Sequence, residues 1–313
     1  MKSRLALIDM GTNTFHLLIV ELPEEPHTEP LVLLRDKVGV RLGQGGISKG
    51  EITPEAFARA LHTLDAFQEE IELHQVKEVR ATATSAVRVA RNGQELVQAI
   101  FEKTGIRVEV IPGEREAELI TKGVRQAVPL GQERNLIVDI GGGSVEFIIA
   151  DEATIFWKQS FEIGAQRLLD QFFPDPSGVM PAEAVAAEQA HLSIVLAPLV
   201  AAVDQYQPVA VVGASGSFDS LADMQLGQLR TEAELPPCTE LAMSSFQNSY
   251  RQLLNGTHEQ RKAIPGILPM RADMLVVASV LFDFVLGISG ITRIRTSAFA
   301  LKEGLLAEMM SVK

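Results

Sequence analysis

The chain has 313 residues, 46% hydrophobic and 22% charged, which is apolar matter enough for two ordinary domains and too much for a disordered chain. Its formal net charge of -12 excludes the surplus of Lys and Arg on which duplex nucleic-acid binding relies. A polyanionic ligand would have to be held by local arginines, backbone amides or a bound cation. A single cysteine, Cys238, excludes an intrachain disulfide and a thiolate zinc cluster and fits a reducing, cytoplasmic compartment.

In chain order, the first twenty residues read as strand, turn and strand. Leu5-Ala6-Leu7-Ile8 runs into Asp9-Met10-Gly11-Thr12-Asn13-Thr14 and then Phe15-His16-Leu17-Leu18-Ile19-Val20. Lys2 and Arg4 precede this apolar run, but Asp9 cuts it before it reaches signal-peptide length. Residues 54–74 carry helical spacing, with Thr53 as N-cap and Pro54 at the first helical position. A strand is expected at 76–83, a helix at 93–103, a strand at 107–111 and, after Pro112-Gly113, a helix at 114–128. The opening pattern then returns: Leu136-Ile137-Val138, Asp139-Ile140-Gly141-Gly142-Gly143-Ser144 and Val145-Glu146-Phe147-Ile148-Ile149. So distant an echo indicates a duplicated domain.

Residues 181–206 predict one long helix or two, interrupted near Pro198, and 209–212 a short buried strand entering Gly213-Ala214-Ser215-Gly216. The polar stretch 225–238 is expected to be a surface connection. The longest apolar stretch, 274–288, is interrupted by Asp283 and is shorter than the roughly 20 residues of a membrane-spanning helix, so a buried helix is expected and no membrane. Residues 298–310 predict a final helix packing back across the junction of the two halves. Alternating strands and helices place the chain in the α/β class.

The two Asp-Gly turns carry the chemistry. A strand ending in Asp-x-Gly-Thr or Asp-x-Gly-Gly leaves a carboxylate at the mouth of a tight turn whose glycines let backbone N–H groups approach an anion. Thr12, Thr14 and Ser144 add hydroxyls and Asn13 an amide. Asp9 and Asp139 cannot face phosphate without a cation between, and Mg2+, which takes one or two carboxylates together with water and phosphate oxygens, suits that place. The plain alternative is a pair of ordinary hairpin turns. Strand alternation puts Glu146 on the face of Ser144, where it would bind metal or orient water, the alternative being a solvated strand-edge glutamate. His16 is open between core residue and ligand contact. Glu114 and Glu116 stand in the first turn of a helix, where acids are common for dipole reasons alone. Arg41, Arg88, Arg91, Arg167 and Arg271 are basic candidates for lining a phosphate channel, each by itself an ordinary surface charge.

An ordered set of motifs narrows this. Ile8 to Thr14, Ala83-Thr84-Ser85-Ala86-Val87-Arg88, Ile111-Pro112-Gly113 with Glu116-Ala117, Asp139 to Ser144 with Glu146, Gly213 to Gly216, and Pro265-Gly266 with Arg271-Ala272-Asp273 occur in sequence. In these the chain resembles the short, two-domain form of the exopolyphosphatase/guanosine pentaphosphate phosphatase (Ppx/GppA) family, across nearly its whole length. The resemblance implies the actin-like ATPase (ribonuclease H-like) fold, two duplicated lobes at 1–125 and 126–299 with an active-site cleft between them, and the helix at 300–313 packed back on the first. It implies Glu116 as general base beside Glu146 as the catalytic pair, and Asp9, Asp139 and Glu146 as ligands of Mg2+ or Mn2+. Substrate would be held by Gly11, Thr12, Asn13, Thr14, Arg88, Gly141, Gly142, Gly143, Ser144, Gly213 and Ser215.

Departures from the family pattern are His16 where many members carry arginine, Arg115 in place of the first of a Glu-Glu pair, and Lys302 in place of arginine before Glu303-Gly304. The extra C-terminal helical domains of longer members have no counterpart, which favours short polyphosphate or a nucleotide. The expected activity is release of terminal orthophosphate from polyphosphate, with guanosine pentaphosphate as the alternative substrate. An actin-fold kinase using the turn 213–216 for adenosine, and a non-catalytic sensor of polyphosphate or guanosine tetraphosphate, are the rival expectations. A homodimer is left open.

Overall fold

A computed structural model describes residues 3–23, 30–231 and 234–311. The chain divides into two compact units, and the division falls between Glu116 and Ala117. The expected boundary was residue 125.

In the first unit, strands β1 (Arg4–Met10), β2 (Phe15–Glu21) and β3 (Leu31–Val38) are followed by helix α1 (Pro54–Leu73), β4 (Glu78–Ala83), α2 (Ser85–Val89), α3 (Gly93–Thr104) and β5 (Val108–Val110). The sheet order is β3-β2-β1-β4-β5, with β2 and β3 antiparallel additions to the parallel set β1, β4, β5. Central β1 is buried on both faces, which accounts for its unbroken apolar run rather than an alternating one. Ile8, Met10, Phe15 and Leu17 share a core with Ala60, Leu64 and Phe67 of α1 and Leu96 and Ile100 of α3. Thr53 caps α1 as its sequence indicated, its hydroxyl accepting from the Ala56 amide.

Helix α4 (Gly113–Ala127) carries the division within it. The second unit continues with β6 (Asn135–Ile140), β7 (Val145–Ala150), β8 (Ile155–Phe161), α5 (Ala165–Phe172), α6 (Ala182–Val195), α7 (Ala197–Tyr206), β9 (Ala210–Ala214) and α8 (Gly216–Leu226). It ends with β10 (Cys238–Leu241), α9 (Met243–Asn255), α10 (His258–Lys262), α11 (Ala272–Ser289), β11 (Ile294–Ser297) and α12 (Leu301–Ser311). Read from β8, the sheet β8-β7-β6-β9-β11 repeats the first unit's order and adds β10 beyond it. The duplication read from two short motifs is thus a duplication of whole sheets.

Helices α6 and α7 meet at a 65° bend, and Pro198 stands in the first turn of α7. Helix α11 with the turn before it is long and apolar enough to cross a membrane by length and composition. It is instead the central core helix of the second unit: Val276, Val280, Leu281, Phe282 and Val285 are fully buried, and Phe282 meets Phe218 and Phe246 edge to face at ring distances of 4.8 Å. Helix α12 lies against the second half of α4. A Cβ on Gly304 would lie 1.7 Å from the Leu119 carbonyl oxygen, and one on Gly123 would lie 2.0 Å from that of Ala300. The α4 residues in those contacts fall within the stretch 1–125 on which the resemblance placed the final helix, while the division between Glu116 and Ala117 groups them and α12 with the second unit.

Candidate active site

Both Asp-Gly turns are built on one plan. In each, the first glycine amide closes the turn on the carbonyl three residues on: Gly11 on Thr14 and Gly141 on Ser144, both at 3.1 Å. A Cβ on Gly11 or Gly141 would lie 3.0 Å from that carbonyl oxygen, so the close approach favours glycine at both places.

Other turn carbonyls are taken from behind. In the first unit the Gly43 and Arg41 amides donate to Thr12 and Asn13; in the second the Ala165, Gln166 and Gly164 amides donate to Gly141, Gly142 and Gly143. A trans peptide points its carbonyl and the following N–H in opposite directions. The amides of Asn13 and Thr14, and of Gly142, Gly143 and Ser144, are therefore turned away from the backing segments. Among the described residues, those of Gly142, Gly143 and Ser144 donate to no other backbone group. A run of convergent amides of this kind is an anion cradle. Gly164 makes the backing possible, because a Cβ there would lie 2.4 Å from the Gly142 carbonyl carbon.

The acids follow from hairpin register. Asp139 stands directly opposite Glu146, and in the first hairpin Asp9 stands opposite His16. His16 thus occupies in the first unit the place of Glu146 in the second. Directly opposed residues share a face, so Asp139 and Glu146 form one carboxylate pair, 7% and 1% exposed. The opposite face, Val145, Phe147 and Ile149, joins the core. Glu146 is therefore a buried group and not a solvated strand-edge residue. Asp9 and His16 are only partly buried.

Glu116 lies in the first turn of α4 and is 7% exposed. Its Oε2 accepts from Arg88 Nη1 at 2.9 Å, and the same nitrogen donates to the Ile111 carbonyl at 3.1 Å. The two residues that the resemblance made general base and phosphate ligand are thus ion-paired with each other.

Gly213 departs from expectation. It lies inside β9, not in a turn, and a Cβ there would meet the Phe218 ring at 2.1 Å, so its smallness is a packing requirement. Ser215 follows the strand with φ 72 and ψ 177, a region costly for any residue but glycine. Gly216 leaves room for Arg271, whose Nη1 donates to the Gly216 carbonyl at 2.7 Å. Sequence reasoning missed the backing residues Arg41, Gly43 and Gly164 to Gln166 in that role. It also missed Ser160 on β8, whose Oγ donates to Glu146. Only the glycines Gly43 and Gly164 offered a signal.

Residues 23–313 match the Ppx/GppA phosphatase family. The chain belongs to that family. It is 30% identical over 306 residues to a guanosine-5'-triphosphate,3'-diphosphate pyrophosphatase of Photobacterium profundum, covering 98% of this chain and spanning 59% of that relative's length. It is 29% identical to exopolyphosphatase 1 of Mycobacterium tuberculosis, over 97% of this chain and 87% of that one. Among solved structures, an exopolyphosphatase from Cytophaga hutchinsonii superposes with a TM-score of 0.93 at 43% identity, over 99% of this chain and 98% of that one. The Aquifex aeolicus PPX-GPPA enzyme shares the fold at a TM-score of 0.80 and 22% identity, over 98% of this chain and 100% of that one. Together with the repeated sheet order, these likenesses give the chain the fold of that family, built from two duplicated α/β units.

Proposed function

We propose that the chain is a hydrolase that releases terminal orthophosphate from inorganic polyphosphate by metal-assisted attack of water. The observation that carries this reading is the pair of backed glycine turns, each presenting amides away from its own scaffold, with a buried carboxylate pair beside the second. Phosphoryl transfer needs little else from a protein than positioning and charge stabilisation.

In this reading the turn residues Gly11 to Thr14 and Gly141 to Ser144 hold phosphate oxygens, and Arg88 supplies a cation that phosphate can share with Glu116. Glu116, ionised beside Arg88, accepts a proton from the attacking water. Mg2+ or Mn2+ fits the donor set. Among the described residues no three of His, Cys, Asp and Glu gather into a metal cage, but Mg2+ asks only one or two carboxylates and otherwise takes water and phosphate oxygens. Asp139 and Glu146 would hold it, and Asp9 is the corresponding acid of the first hairpin. When bound, it would neutralise charge on the phosphate oxygens. The single Cys238, half-buried, accords with a cytoplasmic place of work.

Guanosine pentaphosphate is the second reading, favoured by the Photobacterium relative; the Mycobacterium and Cytophaga likenesses favour polyphosphate. The test is phosphate release from polyphosphates of several lengths, guanosine pentaphosphate and ATP with Mg2+, in the wild type and in Glu116→Gln. Polyphosphate should be the best substrate, and the variant should lose about 100- to 10,000-fold in kcat. Full activity in the variant would refute the role of Glu116. A preference for the guanine nucleotide would reverse the order of substrates, and acceptor-dependent ATP consumption would make the chain a kinase.

A further inference from the structure

Strand β8 pairs antiparallel with β7 and sets Ser160 directly opposite Glu146. Ser160 Oγ donates to Glu146 Oε1 at 2.6 Å, within the range of charge-assisted O–H···O⁻ bonds. On its other side Glu146 faces Asp139. Two buried carboxylates at opposed positions repel, and each is costly to bury without partners. A donor aimed at one of them offsets both penalties.

The bond also has a directional effect. The terminal torsion of a glutamate is broad and soft, so a carboxylate meant to present one oxygen in a fixed direction needs its other oxygen anchored. Strand β8 is itself tied down: Lys158, on the same face as Ser160, is ion-paired with Glu118 of α4.

We propose that Ser160 is a positioning residue for Glu146, anchoring Oε1 so that the other carboxylate oxygen is presented to the reaction. This rests on the role given to Glu146 above. Ser160 itself touches no reacting atom in this scheme.

The test compares Ser160→Ala, Ser160→Thr and Glu146→Gln in polyphosphate hydrolysis, together with metal-free crystal structures of the wild type and Ser160→Ala. Loss of such an outer partner should lower kcat about 10- to 100-fold and leave KM within about twofold, because the carboxylate is misdirected rather than removed. Threonine keeps the hydroxyl and suits a strand, so it should restore most of the rate. In the alanine variant the Glu146 carboxylate should take a second orientation. A wild-type kcat in Ser160→Ala, with Glu146→Gln inactive, would overturn the proposal and leave the functional reading standing. Equal impairment of the alanine and threonine variants with the Glu146 orientation unchanged would also overturn it. A fully active Glu146→Gln would remove the role of Glu146, and the proposal with it.

Discussion

Ser215 holds φ 72 and ψ 177 at the start of α8, a conformation whose cost of roughly 1 to 3 kcal/mol must be borne by the surrounding structure. Glycine would adopt it without penalty. Ser215→Gly should therefore raise Tm by a few degrees, and, if Ser215 holds substrate through its side chain as the family resemblance would have it, lower kcat/KM in the same protein. Thermal melts and phosphate release measured side by side check both signs. The Arg88 and Glu116 pair belongs to this scale too. Their side chains are 18% and 10% exposed, so the ion pair is largely shielded from water, and a phosphate arriving at Arg88 must compete with Glu116 for it. Asp9, Asp139 and the turn glycines were legible because a residue type at a turn has local consequences. Ser160 was not, because its importance comes from the register of β8 against β7, which no local pattern encodes.

At the level of elements, α4 is the piece on which most converges. Its first turn carries Glu116, and its second half is seated against α12 through Gly123 and Gly304. Helix propensity alone says that alanine at either glycine should stabilise by about 1 kcal/mol. The packing says the reverse, since a Cβ on Gly304 would lie 1.7 Å from a backbone oxygen. Gly304→Ala should therefore destabilise, by about 1 to 3 kcal/mol as overpacking does, and its Tm should fall by several degrees in a thermal melt. A gain would show that the two helices can part without cost. Glu303, 6% exposed, fixes the start of α12 by accepting from the Ala300 amide at 3.0 Å. The helix at 93–103 and the strand at 107–111 were readable from periodicity to within a residue or so of α3 and β5. Strands β3, β8, β10 and β11 were not: β10 and β11 carry too few apolar residues to mark a strand, and the short apolar runs that open β3 and β8 are exposed or half-buried edge positions defined by what they pair with.

For the whole molecule, the layer of α6, α9 and α11 contains a group the proposed chemistry does not use. Glu188 on α6 is 0% exposed, and among the described residues neither carboxylate oxygen has a hydrogen-bond partner. Burial raises its pKa from an ordinary 4.5 to about 9. Burial likewise pushes up Tyr250, further raised by Asp283 and Glu188, and Asp283 itself. The folded state therefore binds more protons than the unfolded chain between those two values, and stability falls as pH rises through that window. Glu188→Gln mimics the protonated acid. Its Tm should match the wild type near about pH 5 and exceed it by several degrees near about pH 8, at roughly 2 to 4 °C per kcal/mol. Parallel melting curves across pH test this, and a constant offset would show that Glu188 is ionised in the folded protein.

What the sequence determined by itself is whatever depends on residue type at short range. That includes the α/β class, the Thr53 cap, the break between α6 and α7, the two Asp-Gly hairpins and, through the ordered motifs, the family. The tertiary structure alone decided the rest. It placed Glu146 opposite Asp139 and Ser160, turned Arg88 onto Glu116, put Gly213 inside a strand beneath Phe218, and set α12 against the second half of α4. Each of these is fixed by sheet register or by the volume left between packed elements, and neither quantity is written in a local run of residues.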